Sequence, residues 1–391
     1  MSILLFIFDI DFSNVDSIDI IIYITAKMKT TFNKDIAYND LPNLPPMKNL
    51  ETTAIFRATI KANKLLAELK GYCQTLPNPQ MLLNTIVLQE SKESNAIENI
   101  VTTQDELYKA TLMGDGVKNQ AAKEVLQYRE AIYWGIAELQ KNNLITTNLL
   151  VGLMQRLRGS SENIRKNTGT KLANPSNNKV VYTPPEGEGI IREKLSELEI
   201  FINDNEFSDL DPLIKMALVH YQFEAIHPFS DGNGRTGRIL NILYLIQQEL
   251  LGLPVLYLSN YIIHNKSDYY KLLREITEEG NWEEWVLFMI NGISETSAMT
   301  LSKIHSILRL KEDTISNAKE ALKSSFSKEL MDLLFSHPYI KIKVLEDNNI
   351  AKRQTASEYL KKLESKGILG SVKIGNEIYY INKALIEILS E

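Results

Sequence analysis

The chain has 391 residues, 44% hydrophobic and 24% charged, with a formal net charge of −6. Such a balance describes a globular protein of two or three domains and gives no global attraction to nucleic acid or anionic membrane. Cys73 is the single cysteine, which excludes an internal disulfide framework, and no close Cys or His cluster offers a zinc site.

From the N-terminus, Ile3 to Ile24 is rich in Ile and Phe but is interrupted by Asp9, Asp11, Asp16 and Asp19. Acidic residues are costly in lipid and no basic segment precedes the apolar run, so neither a membrane span nor a signal peptide is expected. The expected location is the cytoplasm. Residues 1–35 read as an uncertain extension, with Met28 an alternative start. Pro42, Pro45 and Pro46 make 36–50 an extended arm. Ile55, Ile60, Leu65, Leu66 and Leu69 space a helix over 52–69, and 81–93 begins a second after the break at Asn78-Pro79. This helix leads into Ser94-Asn95-Ala96-Ile97-Glu98-Asn99, where, on the residues alone, Glu98 is a solvated carboxylate. Helices follow over 119–141 and 144–158, with Leu126, Ile132, Ile136 and Leu139 on an apolar stripe.

The character changes at Gly159. Two extended segments flank the polar turn Asn174-Pro175-Ser176-Asn177-Asn178, the second being Val180-Val181-Tyr182-Thr183-Pro184-Pro185, and predict a hairpin or an ordinary surface loop. Asp211-Pro212 then gives an N-cap and first position to a buried helix over 212–226. Another apolar helix covers 239–251. Between them runs His227-Pro228-Phe229-Ser230-Asp231-Gly232-Asn233-Gly234-Arg235-Thr236-Gly237-Arg238. Its second half opens a helix, where free N–H groups and the dipole favour an anion. Gly232, Gly234 and Gly237 let the backbone approach phosphate oxygens. Arg235 and Arg238, three apart, would project towards one anion, and Asp231 is a hard ligand suited to Mg²⁺. His227 can take a proton near neutral pH. A base, a metal ligand and an anion cradle in one loop point to phosphoryl or nucleotidyl transfer.

The run resembles the signature His-x-Phe-x-[Asp/Glu]-Gly-Asn-Gly-Arg-x-x-Arg of Fic (filamentation induced by cAMP) proteins, and every specified position is met. The resemblance implies a mainly α Fic-fold core with a β-hairpin flap over 159–189. It also gives Glu98 a second reading. Ser94, Glu98 and Asn99 match an inhibitory pattern, [Ser/Thr]-x-x-x-Glu-[Gly/Asn], whose Glu pairs with the second motif arginine, here Arg238. Val181 and Tyr182 would then line the nucleotide edge under the flap. Tyr270, in Asp268-Tyr269-Tyr270-Lys271, becomes the expected nucleoside contact, with core packing the plain alternative. Trp282 and Trp285 read as core.

Helices continue to about Lys323. Beyond 325, two short helical stretches, a helix over 351–366 and a hairpin turning at Gly375-Asn376 resemble a winged helix-turn-helix. Residues 325–391 hold ten Lys+Arg against nine Asp+Glu. A stripe of Lys352, Arg353, Lys361, Lys362 and Lys366 therefore lacks a wide basic footprint, and docking or dimer contacts are favoured over DNA binding.

The expected organisation is 1–35 extension, 36–125 helical region with the inhibitory helix, 126–320 Fic core and 325–391 winged-helix-like domain. The resemblance implies a protein adenylyltransferase moving AMP from ATP to Ser, Thr or Tyr hydroxyls of proteins, itself included. His227 would be the base, Asp231 would hold Mg²⁺, and Gly232, Asn233, Gly234, Arg235, Thr236, Gly237 and Arg238 would hold the phosphates. The alternatives are AMP removal at the same site, or a DNA-binding regulator or toxin component. A homodimer is a further expectation, and no membrane partner is expected.

Overall fold

The computed structural model describes residues 32–75, 79–113, 119–174, 177–204, 206–374 and 377–390. The extension up to residue 31 and the Gly375-Asn376 turn lie outside them. The elements are α1 (Thr53–Thr75), α2 (Gln80–Ile97), α3 (Gln104–Met113), α4 (Gln120–Asn142), α5 (Thr147–Arg158), β1 (Leu172–Ala173), β2 (Val180–Tyr182) and α6 (Glu188–Asn203). Then come α7 (Pro212–Ile226), α8 (Asn233–Gln247), α9 (Leu258–His264), α10 (Lys266–Glu279), α11 (Trp282–Leu322), α12 (Lys328–Ser336), β3 (Tyr339–Ile340), α13 (Ile342–Asp347), α14 (Arg353–Ser365), β4 (Gly370–Ile374), β5 (Glu377–Ile381) and α15 (Lys383–Ser390). The protein is mainly helical, as its residue patterning predicts.

α7 and α8 form the centre. Asp211 Oδ1 accepts from the N–H of Leu213 at 2.8 Å, which starts α7 where the Asp-Pro pair predicts. From Leu213 to Ile226 every residue of α7 except Glu224 is buried. A helix apolar on all sides belongs inside a core. Trp285 of α11 donates its indole N–H to the Ala217 carbonyl at 2.8 Å, which explains why this large ring is fully buried. Ile60 departs from its expected inward position: it is 67% exposed, while Ile55, Leu66 and Leu69 of the same helix are buried. The boundary expected between 125 and 126 falls inside α4, whose Val125 and Tyr128 are both buried.

The C-terminal module has its own core, in which Leu330, Leu345, Leu360, Leu363 and Tyr380 pack with Ala318 and Leu322 from the end of α11. Its antiparallel sheet runs β3-β5-β4, with Tyr339 opposite Ile381 and Ser371 opposite Tyr380. The two-residue β3 lies outside the hairpin expected from sequence. The module also grips the rest of the chain. Tyr339 and Tyr379 pack with Leu88 of α2, Leu107 and Ala110 of α3, and Ala122 and Val125 of α4. Leu385 and Leu389 of α15 join the main core, and Gln89 of α2 donates to the Leu389 carbonyl at 2.9 Å. α2 is therefore held between the central helices and the C-terminal module. Among the described residues no helix is long and apolar enough to cross a membrane.

Candidate active site

The loop begins where α7 stops. His227 is its C-cap, with φ 49° and ψ 58°, and its N–H donates to the Phe223 carbonyl at 3.0 Å. A left-handed cap on a residue with a Cβ is strained and persists only where its surroundings hold it. Arg165 supplies that hold. Its Nε donates to the His227 carbonyl at 2.8 Å and Nη2 reaches the carbonyls of Ile226 and Pro185, while its own N–H donates to Pro228 O at 2.9 Å. A cation over the last carbonyls of a helix also complements its dipole. Arg165 follows no pattern visible in sequence, because it sits in a loop and acts 62 residues away.

Phe229 is fully buried and anchors the loop. The Asn233 side chain clamps it: Oδ1 accepts from the Phe229 N–H and Nδ2 donates to the Phe229 carbonyl, both at 2.9 Å. The Asn233 amide, expected at the phosphates, here bonds to the loop's own backbone. Gly232 takes φ 85° as the N-cap of α8, a left-handed turn that suits glycine. Thr236 is also turned inward, its hydroxyl donating to the Gly232 carbonyl at 2.8 Å.

The two arginines diverge, against the expectation that they face one anion. Arg235 Nη1 donates to Glu124 Oε2 at 2.9 Å and to Asn95 Oδ1 at 3.3 Å, tying α8 to α4 and α2. Arg238 Nε donates to Ser94 Oγ at 2.7 Å, and its Nη2 donates to Ser94 O at 2.9 Å and Glu98 Oε1 at 2.8 Å. Burial opposes charge on Arg238, but the Glu98 carboxylate outweighs it and holds the guanidinium above its ordinary pKa. Two consecutive turns of α2 thus meet Arg238, and Glu98 sits at the helix's C-cap.

The end of α2 is held from a second side. Lys266, first residue of α10, donates to the Ile97 carbonyl at 2.6 Å and to Asn99 Oδ1 at 3.3 Å. Deeper in the helix, the buried Glu90 accepts from the Ser259 N–H at 2.9 Å, from the Ser259 hydroxyl and from Tyr128 at 3.3 Å. Burial pushes its carboxyl up to about 7.

Some of these residues line a cleft of about 810 Å³. Its lining includes His227, Gly234, Arg238, Glu98 and Glu224, with Tyr270, Leu273 and Thr277 of α10 and Val181 and Tyr182 of β2. Size and mixed lining suit a nucleotide-sized ligand. The cleft does not include Asp231, Gly232, Asn233, Arg235, Thr236 or Gly237 in its lining. His227 is pushed down to about 4 by burial, then by the nearby Arg165, so its ring is neutral at physiological pH and able to accept a proton. The hairpin pairs Leu172 with Tyr182 and Ala173 with Val180. Tyr182 is anchored by donating its hydroxyl to the Ala225 carbonyl at 2.8 Å. Tyr270 is 47% exposed, while Tyr269 is buried and meets His220 Nε2 at 2.8 Å. Burial, with Arg238 adding, drives His220 down to about 3, so it serves as a neutral strut between α7 and α10.

Asp231 lies at the loop's outer edge, with its side chain 52% exposed. It pairs with Arg158, stands 3.8 Å from Arg235 Nη2, and accepts from the Gly232 N–H at 2.6 Å. Among the described residues no group of three or more His, Cys, Asp or Glu could hold a metal. A half-exposed carboxylate fits Mg²⁺, which keeps waters and takes phosphate oxygens, better than an ion needing a protein cage.

Residues 56–137 match the Fic/DOC family N-terminal domain, 145–245 the Fic/DOC family domain, and 310–385 the C-terminal domain described as protein adenylyltransferase SoFic-like. The chain belongs to the Fic/DOC family. The 227–238 loop lies inside the Fic match and Glu98 inside the Fic N-terminal match. Among curated relatives, protein adenylyltransferase fic-1 of Caenorhabditis elegans is 26% identical over 140 residues, 36% of this chain and 25% of that protein. Protein adenylyltransferase Fic of Aedes aegypti is 26% identical over 220 residues, 55% of this chain and 42% of that protein. This Fic chain thus matches only a quarter to two fifths of the length of these relatives. In fold it is similar to a Fic family protein from Desulfovibrio desulfuricans, with TM-score 0.54 and 18% identity, covering 86% of this chain and 98% of that one.

Proposed function

We propose that this chain is a protein adenylyltransferase held inactive by Glu98. The observation that carries the reading is the convergence of His227, Gly234 and Arg238 on one nucleotide-sized cleft whose cationic end is plugged by Glu98. In the reaction, a Ser, Thr or Tyr hydroxyl oxygen bonds to the α-phosphorus of ATP, the bond to the β-phosphate bridging oxygen breaks and pyrophosphate leaves. The hydroxyl proton passes to the neutral imidazole of His227. The Gly234 backbone at the start of α8, which lines the cleft, would meet the α-phosphate, where charge gathers, and Arg238 would take the terminal phosphates. Asp231 would hold Mg²⁺, which supplies charge neutralisation on the phosphates, after exchanging its Arg158 partner. The hairpin β1–β2 offers an edge for an extended target segment.

Inhibition follows from competition. An arginine engaged by a carboxylate is not free for a phosphate, and the carboxylate repels one. Labelled ATP incubated with the Glu98→Gly protein should label the protein itself or host proteins, and adding His227→Ala should abolish this without unfolding. Label persisting in the double variant sinks the assignment. Glu98 also faces the cleft with its side chain 34% exposed, which supports a second reading, water-mediated AMP removal. Incubating AMP-modified target with the wild-type chain, with and without ATP, separates the directions. For 325–391 we favour protein docking: Lys366 pairs with Glu320 at 3.0 Å, and Glu358 and Glu364 interrupt the basic stripe of α14.

A further inference from the structure

We infer that Lys266 is the latch of the inhibitory helix: by bonding the residues on either side of Glu98, it keeps that carboxylate on Arg238 and sets how strongly the cleft is closed to a triphosphate. The inference rests on Glu98 acting as the brake, as proposed above.

Glu98 is poorly placed to hold itself. It is the C-cap of α2, and the chain leaves the helix at Asn99 in the left-handed conformation, φ 62°. The buried Ile97 ends the part of α2 held by packing, and Glu98 and Asn99 beyond it are exposed. Helix ends fray, and their last carbonyls lack intrahelical partners. Backbone bonds close the turn, the Asn99 N–H donating to Ala96 O and the Ile100 N–H to Asn95 O, both at 3.0 Å. These bonds join neighbours in one short segment, so they shape the turn without tying it to another element.

Lys266 supplies that tie. Its ammonium donates to the Ile97 carbonyl at 2.6 Å and to Asn99 Oδ1 at 3.3 Å, so one cation from a different helix spans Glu98. Lys266 opens α10, where the dipole of its own helix disfavours a cation, whereas the carbonyl end of α2 favours one. The lysine therefore serves α2 rather than the helix that carries it. Ile97, Glu98, Asn99 and Lys266 all line the cleft, so the latch stands at the site it controls. It holds the segment around Glu98 without using Arg238, unlike Ser94, whose contacts are with the arginine itself.

The test measures self-modification from labelled ATP, and KM for ATP, in the full chain carrying Lys266→Met, Lys266→Arg or Asn99→Gly, each with and without Glu98→Gly. Asn99→Gly removes the side-chain acceptor and keeps the left-handed turn. Lys266→Met should raise transfer about tenfold, the size expected for a lost charged hydrogen bond. Lys266→Arg should keep most of the inhibition, and Asn99→Gly should release less than Lys266→Met. In Glu98→Gly, where no carboxylate remains to be held, none of the three should change kcat or KM. A raised KM for ATP in that background makes Lys266 a nucleotide contact and overturns the latch. Amide hydrogen exchange at residues 98–100 should quicken in Lys266→Met; unchanged exchange, with Glu98→Gly active, overturns the latch alone and leaves the proposed function standing. A Glu98→Gly chain that transfers no AMP overturns both. Where thermal melts show Lys266→Met misfolded, Asn99→Gly carries the comparison.

Discussion

Arg238 of α8 and Glu98, the C-cap of α2, 140 residues apart, meet through a single contact of 2.8 Å in the lining of the cleft. Ser94, one turn earlier, takes two further donors of the same guanidinium, so the arginine is held in place even without Glu98. This geometry separates the two residues' effects. Glu98→Gly removes the competing charge and leaves Arg238 positioned, so self-modification should rise at least tenfold, by an amount set by a charged hydrogen bond of about 1.5–3 kcal/mol. Ser94→Ala should instead weaken ATP binding in the Glu98→Gly background. Equal ATP affinity with and without Ser94 would refute this division.

Arg165 should behave as a structural cation. Replacing it by Ala leaves the carbonyls of Ile226, His227 and Pro185 without their donor, at a cost of about 2–4 kcal/mol. Urea denaturation of Arg165→Ala, compared with Arg165→Lys, measures it; a variant as stable as the parent excludes the role.

The pH response of transfer follows from His227. With its ring depressed to about 4, the base stays neutral well below the ordinary histidine range. AMP transfer by Glu98→Gly should therefore hold down to about pH 5 and fall only near pH 4. An acid limb near 6.5 contradicts the buried, Arg165-facing imidazole.

Stability should show opposing titrations. His227 and His220 have folded pKa values below the unfolded one, so between 6.5 and about 4 the unfolded chain binds more protons, and their contribution is lost as pH falls. Glu90 and Glu224 are raised to about 7, so theirs is full below the unfolded value of 4.5 and lost as pH rises through 7. Glu224→Gln should consequently gain in melting temperature relative to the parent more at pH 8 than at pH 5. The same difference at both values would rule out a raised carboxyl.

The C-terminal module should stiffen the inhibitory helix. Leu389→Ala cuts the α15 packing beside Gln89, a loss of about 2–5 kcal/mol in a core site, and should raise self-modification of the otherwise wild-type chain. The same change in Glu98→Gly should add nothing, since no carboxylate remains to be released. A rise in both backgrounds would place the effect elsewhere.

Much of this was legible in the sequence because it is local. The Asp211-Pro212 start, the glycine-rich turn and the helix that opens at Asn233 all depend on neighbours in the chain. The directions of Arg235 and Arg238 were not, because they are decided by Glu124, Asn95, Ser94 and Glu98, partners more than 100 residues away. Asn233 illustrates a second limit: an amide suited to phosphate serves equally to clamp the Phe229 backbone, and only geometry distinguishes them. β3 was missed because two residues carry no period, and its place is fixed by pairing with β5. Glu224 drew no notice since one charge in an apolar helix reads as a helix surface until every other side is seen to be covered.

A helix gripped on two sides cannot report to one of them alone. α2 touches the cleft through Glu98 and the C-terminal module through Leu88 and Gln89. By reciprocity, whatever factor a molecule seated on residues 325–391 applies to nucleotide affinity, a nucleotide must return to that molecule's own affinity. If the grip on α2 couples the two sites, the module senses cleft occupancy as much as it controls it.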